Sequence, residues 1–343
     1  MPWPASVSRR SVIAALAGLA VLVCALTLPH TFGPRAEEAL DALGGAQPVW
    51  LWVGCGLFIV SLLCSAAAWR VGIVECGGRI GRARSAASYG VGSLANSLLP
   101  ARVGDAMRIA LFSRALESGS AAWTSSGVFL LLGAARALAL VGLVAVGTAI
   151  GAVPLWPILV LAGVVLVAAL AALGARRRQA RSQVSHLLDA FRALGRSPHA
   201  SLGVAGWALG SILARLAAAA AVASALGIGR PLLAAVVIVP AIELAGLLPL
   251  TPGNLGVTSG AVAVALKARG IDLTSALSVG IALHAVEMAA GLGFGTASIL
   301  YLGGSRSNRA RRVAVGVAGT ALFGLAAVFA AVTITCARRS EAR

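Results

Sequence analysis

The sequence predicts an all-α polytopic integral membrane protein, with about 7 spanning helices plus two inverted re-entrant or broken-helix segments. Three observations predict it. First, 59% of the 343 residues are hydrophobic and 11% are charged, with a mean hydropathy of +0.92; a soluble domain carries roughly 25% charged residues. Second, apolar runs of spanning length recur along the whole chain. Third, the string Ser97-Leu98-Leu99-Pro100-Ala101-Arg102-Val103-Gly104-Asp105 returns, loosened, as Gly246-Leu247-Leu248-Pro249-Leu250-Thr251-Pro252-Gly253-Asn254. Two matching interruptions in the two halves of a hydrophobic chain are a sequence pointer to a transport site.

A spanning helix needs about 20 apolar residues. Runs of that kind occupy 11–28, 49–69, 121–150, 154–174, 201–226, 273–302 and 313–336. The first follows Ser8-Arg9-Arg10-Ser11, which looks like a signal sequence. No small-x-small cleavage site follows before Pro29, so the run reads as a retained first helix. Segments 88–112 and 232–268 are apolar but broken by Pro, Gly and Asn. The whole chain, 1–343, reads as one membrane domain with pseudo-repeats at about 49–174 and 201–336. The polar loops are far below the 50 or so residues of an independent core.

Net charge is +17, and Lys267 is the single lysine among 28 basic residues. In a soluble protein that excess would suggest nucleic acid. Here the arginines cluster between apolar runs, as positive-inside topology requires, and nucleic acid is not an expected partner. Arg9 and Arg10, then 70–87, then 175–200, then 306–312 mark the cytoplasmic side. The acidic stretch at Glu37, Glu38 and Asp41 falls outside. This parity puts the N-terminus in the cytoplasm of a cell with the protein in its inner (cytoplasmic) membrane. It also enters the two interruptions from opposite faces, which relates them by inversion. The arginine-rich tail at Arg338, Arg339 and Arg343 fits that parity poorly. Five cysteines form no Cys-x-x-Cys pair, and four scattered histidines complete no metal site. No cofactor is expected.

The interruptions carry the chemistry. Pro100 and Pro249 each remove a backbone donor. Gly104 and Gly253 suit turns. Asp105 and Asn254 suit the N-caps of following helices, with Thr258 or Ser259 assisting the second. A helix that starts at membrane depth offers free N–H groups and partial positive charge to a phosphate. Asn96 can hydrogen-bond a head group or a freed carbonyl. Arg102 and Arg108 can bind phosphate in bidentate fashion, anchor the cytoplasmic edge, or, for Arg108, pair with Asp105 at i,i+3. Thr251, Pro252 and Gly256 complete the expected head-group site.

Arg136 and Arg215 lie mid-span. A central Arg costs about 2.5–3.5 kcal/mol on the insertion scale, so each requires a buried carboxylate or an anionic guest. Glu243 and Glu287 are the available deep carboxylates. His284 and Glu287 share a helix face at i,i+3, and with Glu243 they are candidates for proton coupling. Gly- and Ala-rich faces such as Ala217–Ala221 and Ala289-Ala290-Gly291 read as close helix packing, and the Gly-x-Gly run Gly291–Gly295, inside a spanning helix, is not a nucleotide fingerprint.

At Gly246–Val257 and at Asn96, Pro100, Arg102, Gly104 and Asp105, the chain resembles the flippase-like transmembrane region of lysylphosphatidylglycerol synthases. The resemblance covers nearly the whole chain. Asn254 stands where the family carries a second Gly. Thr258 and Ser259 stand where it carries a basic residue and Glu, and His284 roughly where it often carries Arg. No aminoacyl-transfer domain accompanies the membrane part, so lipid aminoacylation is not implied. The resemblance implies lipid translocation or the handling of an envelope lipid.

The reading is therefore a flippase-like, non-enzymatic transporter of an anionic lipid, phospho- or polyprenyl-phosphate-linked. Its expected partners are membrane lipids and their anionic head groups. The alternatives are a membrane scaffold for an envelope-biosynthesis partner, or an intramembrane enzyme of lipid or glycolipid assembly.

Overall fold

The computed structural model of the chain describes residues 45–99, 102–117, 119–151, 190–246 and 256–303. The predicted spans at 11–28, 154–174 and 313–336 lie outside them, as do Pro100, Pro249, Thr251, Pro252, Gly253 and Asn254. Among the described residues there is no strand. The helices that build the fold are α1 (Pro48–Glu75), α2 (Arg82–Leu98), α3 (Val103–Ser113), α4 (Ala121–Ala149), α5 (Pro198–Ala225), α6 (Pro231–Ala245), α7 (Val257–Lys267) and α8 (Leu273–Gly303). A helical stretch over 190–196 leads into α5.

Four of these match predicted spans. Helices α1, α4, α5 and α8 hold 28, 29, 28 and 31 residues. At 1.5 Å per residue each exceeds the ~30 Å hydrocarbon core. Pro48, Pro198 and Pro231 begin α1, α5 and α6, where the fixed φ is helical already and the missing N–H is not needed. Gly77 (φ +84°) and Gly227 (φ +73°) end α1 and α5 in the left-handed conformation. There the N–H groups of Gly78 and Ile228 reach back to the carbonyls of Ile73 and Ala223.

The two interrupted segments are both helix–break–helix hairpins. Helix α2 packs on α3, and α6 packs on α7. Helices α3 and α7 hold 11 residues each, about 16 Å, half of what a crossing needs. The repeated strings do not share one register in three dimensions. Ser97 and Leu98 end α2, while Gly104 and Asp105 already lie in the first turn of α3. The second string begins where α6 ends, and α7 starts only at Val257.

The halves correspond closely in other respects. Helix lengths run 28, 17, 11, 29 and then 28, 15, 11, 31. Exchanging α1 with α5, α2 with α6, α3 with α7 and α4 with α8 returns the same set of packed pairs. The central pair, α1 and α5, is antiparallel, with the Gln47 N–H bonded to the Ala225 carbonyl.

Small residues bring these helices together. Lipid tails are as apolar as leucine, so close van der Waals packing and interhelical hydrogen bonds drive association. Ala218–Ala223 is a continuous buried run. A Cβ on Gly54 would lie 3.1 Å from Val222. The small-residue face of α8 serves as expected at Gly291, which meets Ser97; one turn on, Gly295 meets Leu94 and the Gly90 carbonyl. Trp69 of α1 stacks on Phe112 of α3 at 4.6 Å and holds the first hairpin to the central pair.

Candidate functional site

All eight helices contribute to one cavity of about 450 Å³, within the size range of ligand sites. Among the described residues its charged lining is Arg102, Arg108, Arg136 and Arg215 against Asp105, Glu243 and Glu287. Four positive charges against three negative leave one formal positive charge. Arg136 is the sixteenth residue of the 29 in α4, so the cavity sits about 22 Å along the helix from its start and about 20 Å from its end.

The first hairpin builds one wall. Gly104 fits because it has no side chain: a Cβ there would lie 1.9 Å from the Gly92 carbonyl oxygen. Its role is close approach of α3 to α2, which corrects the expectation of a turn glycine. Asp105 is likewise not the N-cap of α3. That position is held by Arg102, in the left-handed region at φ 54°. The Asp105 Oδ1 accepts from Asn96 Nδ2 at 3.0 Å and from Arg108 Nη1 at 2.7 Å. Asn96 is not in the break but inside α2. Arg108 also donates to Ser93 Oγ at 2.8 Å and lies over the Tyr89 ring at 4.0 Å. The i,i+3 pairing of Asp105 with Arg108 is therefore made, and Arg108 is held by three neighbours.

The second hairpin meets the first through Arg102, whose Nη2 donates to the carbonyl oxygen of Gly246. Gly246 is the C-cap of α6, so the guanidinium satisfies a carbonyl that the helix leaves free. Gly256, at φ +80°, is the N-cap of α7 and does not line the cavity. Thr258 and Ser259 supply no cap. Thr258 is buried and lines the cavity, while Ser259 Oγ donates to the Gly280 carbonyl of α8 at 3.2 Å.

The mid-span arginines meet on Glu243. Its Oε1 accepts from Arg136 Nη2 at 2.5 Å and from Arg215 Nη1 at 3.0 Å. Arg215 Nη2 also pairs with Glu287 at 3.2 Å, and its guanidinium lies 5.7 Å from the Phe58 ring centroid. The chain Arg136–Glu243–Arg215–Glu287 joins α4, α6, α5 and α8. Burying arginine near the bilayer centre requires such partners. The Nε atoms of Arg136 and Arg215 are buried without a hydrogen-bond partner, as are both ring nitrogens of His284.

Arg102 and Arg136 converge on this cavity, while Asn254 is outside the described residues. The sequence reading missed Tyr89, Ser93, Ser65 and Ser211, which also line it. Ser61 and Ser65 at i,i+4 in an apolar helix were the available signal, because that spacing puts both hydroxyls on one face.

The chain matches, over residues 11–290, the family described as the lysylphosphatidylglycerol synthase TM region. No curated protein matches it. With most of its length matched and its long apolar helices in place, the chain belongs to the lysylphosphatidylglycerol synthase transmembrane-region family and is a multi-pass membrane protein that interacts with membrane lipids.

Proposed function

We propose that this protein translocates an anionic lipid, phospholipid or polyprenyl-phosphate-linked, across the cytoplasmic membrane, with its N-terminus in the cytoplasm and without covalent chemistry. One observation carries the reading: a cavity with four arginines lies among apolar helices, bounded by two helix breaks joined through Arg102 and Gly246. A polar chamber of that kind receives a head group, while acyl chains remain in the surrounding lipid. Irregular backbone at membrane depth is tolerated where it lines such a chamber. The matched halves and their antiparallel central helices support an inverted repeat, with alternating access about a fixed midplane site.

The test is leaflet exchange in proteoliposomes. Purified protein should accelerate the loss of outer-leaflet fluorescence, over empty vesicles, for anionic lipids with a reporter on the acyl chain. Arg136→Ala should abolish the acceleration while the protein stays monodisperse in detergent. No acceleration with any anionic phospholipid or polyprenyl phosphate would refute the reading.

A further inference from the structure

Glu243 is placed unusually for a purely structural counter-ion. A single oxygen, Oε1, serves two guanidinium groups that come from different halves of the chain. Each of those groups keeps its Nε–H buried and unpartnered. Both arginines therefore bind the Glu243 carboxylate through one N–H each, and although Arg215 also gives Nη2 to Glu287, neither engages its Nε–H in the two-pronged grip by which arginine binds oxyanions strongly. A phosphodiester has two non-bridging oxygens. It can give one to each guanidinium, or both to one, and so engage N–H groups that a shared carboxylate oxygen leaves unused. The charge count agrees. With Glu243 in place the charged lining sums to one positive charge, which a single phosphodiester monoanion neutralises.

Resting on the anionic-lipid reading of this cavity, we infer that Glu243 is a resident anion which a phosphodiester head group displaces from Arg136 and Arg215. In the empty cavity Glu243 keeps two arginines from standing unpaired in low dielectric. On binding, the phosphate takes over both guanidinium edges and the Glu243 carboxylate swings away. Glu243 belongs to α6, Arg136 to α4 and Arg215 to α5, so the exchange frees α6 from its tie to α4 and α5 when a guest is present. An unloaded protein stays closed, because its own carboxylate holds the tie.

The experiment is titration of dihexyl phosphate, a single-charge phosphodiester, into detergent-solubilised full-length protein, with uncharged trihexyl phosphate as control. Glu243→Gln removes the competitor, and Glu287→Gln makes the same change in net charge at a carboxylate that contacts Arg215 alone among these arginines. Displacement predicts that Glu243→Gln binds dihexyl phosphate on the order of tenfold more tightly than wild type. It also predicts a smaller gain for Glu287→Gln and no binding of the triester. Equal gains in the two variants would mean that charge alone acts, and would overturn the inference. So would binding by Glu243→Gln no tighter than wild type. If Glu243→Gln does not fold, Glu243→Asp decides: it keeps the charge but is too short to reach both guanidinium groups, so it must bind more tightly than wild type, or displacement is wrong. Translocation by wild type without any gain in Glu243→Gln refutes displacement alone. Tighter binding without translocation refutes the transport reading alone.

Discussion

Ser61 and Ser211 hydrogen-bond to each other through their hydroxyls at 2.9 Å. Each is the fourteenth residue of its 28-residue helix, α1 and α5. Residues at the same place in two antiparallel helices touch only at the point where the helices cross. Ser65 also bonds Ser211 at 2.9 Å, so this crossing is polar, buried and beside the cavity.

Ser211→Ala should weaken the crossing by about 1 kcal/mol, within the range measured for interhelical hydrogen bonds in membranes. Ser61→Ala should then add little in the Ser211→Ala background, since its partner is already gone. Unfolding free energies of the two single variants and the double variant, measured in mixed micelles, check both statements.

Gly104→Ala should prevent the first hairpin from closing, because the new methyl group would occupy the place of the Gly92 carbonyl oxygen. Gly142→Ala lies in α4 with no described residue within 4 Å of its Cβ position. It should raise stability by about 0.5–1 kcal/mol, through the lower backbone entropy of alanine in a helix. The pair is read as recovery of folded protein for the first and as a rise in Tm for the second.

Arg215→Ala leaves Glu243 with one partner and Glu287 without its arginine. Removing one member of a buried ion pair costs about 3–5 kcal/mol. Adding Glu287→Gln to Arg215→Ala should recover part of that loss, since the orphaned charge disappears. Thermal unfolding in detergent measures the recovery; a double variant no more stable than Arg215→Ala would show that Glu287 is solvated rather than paired.

Asp272 precedes α8, and its Oδ2 accepts the Ser275 backbone N–H at 3.0 Å. That hydrogen bond holds its carboxyl below the usual carboxylate range. A lowered folded value means the charged cap stabilises fully above the unfolded value of about 3.9 and is lost as pH falls through the folded one. The Tm difference between wild type and Asp272→Asn should be constant near neutrality and shrink towards zero as pH drops below about 4.

Composition and hydropathy alone determined that this chain is a helical membrane protein and where four of its long helices run. Those properties are local. A segment of about 20 apolar residues must satisfy its backbone within itself once it enters lipid, whatever surrounds it. The sequence also showed that Arg136 and Arg215 need counter-charges, because an unpaired arginine at that depth is costly in any fold.

Which groups meet was decided by packing. Arg136 finds Glu243 across 107 positions of chain, and the choice between Glu243 and Glu287 depends on how α4, α5, α6 and α8 cross. The repeated strings suggested equivalent turns, yet Gly104 serves helix contact and Asp105 a side-chain network, while Arg102 takes the strained N-cap. A short motif records residue types. Where a helix begins, and which face it turns to its neighbours, follows from the fit of side chains against helices distant in sequence.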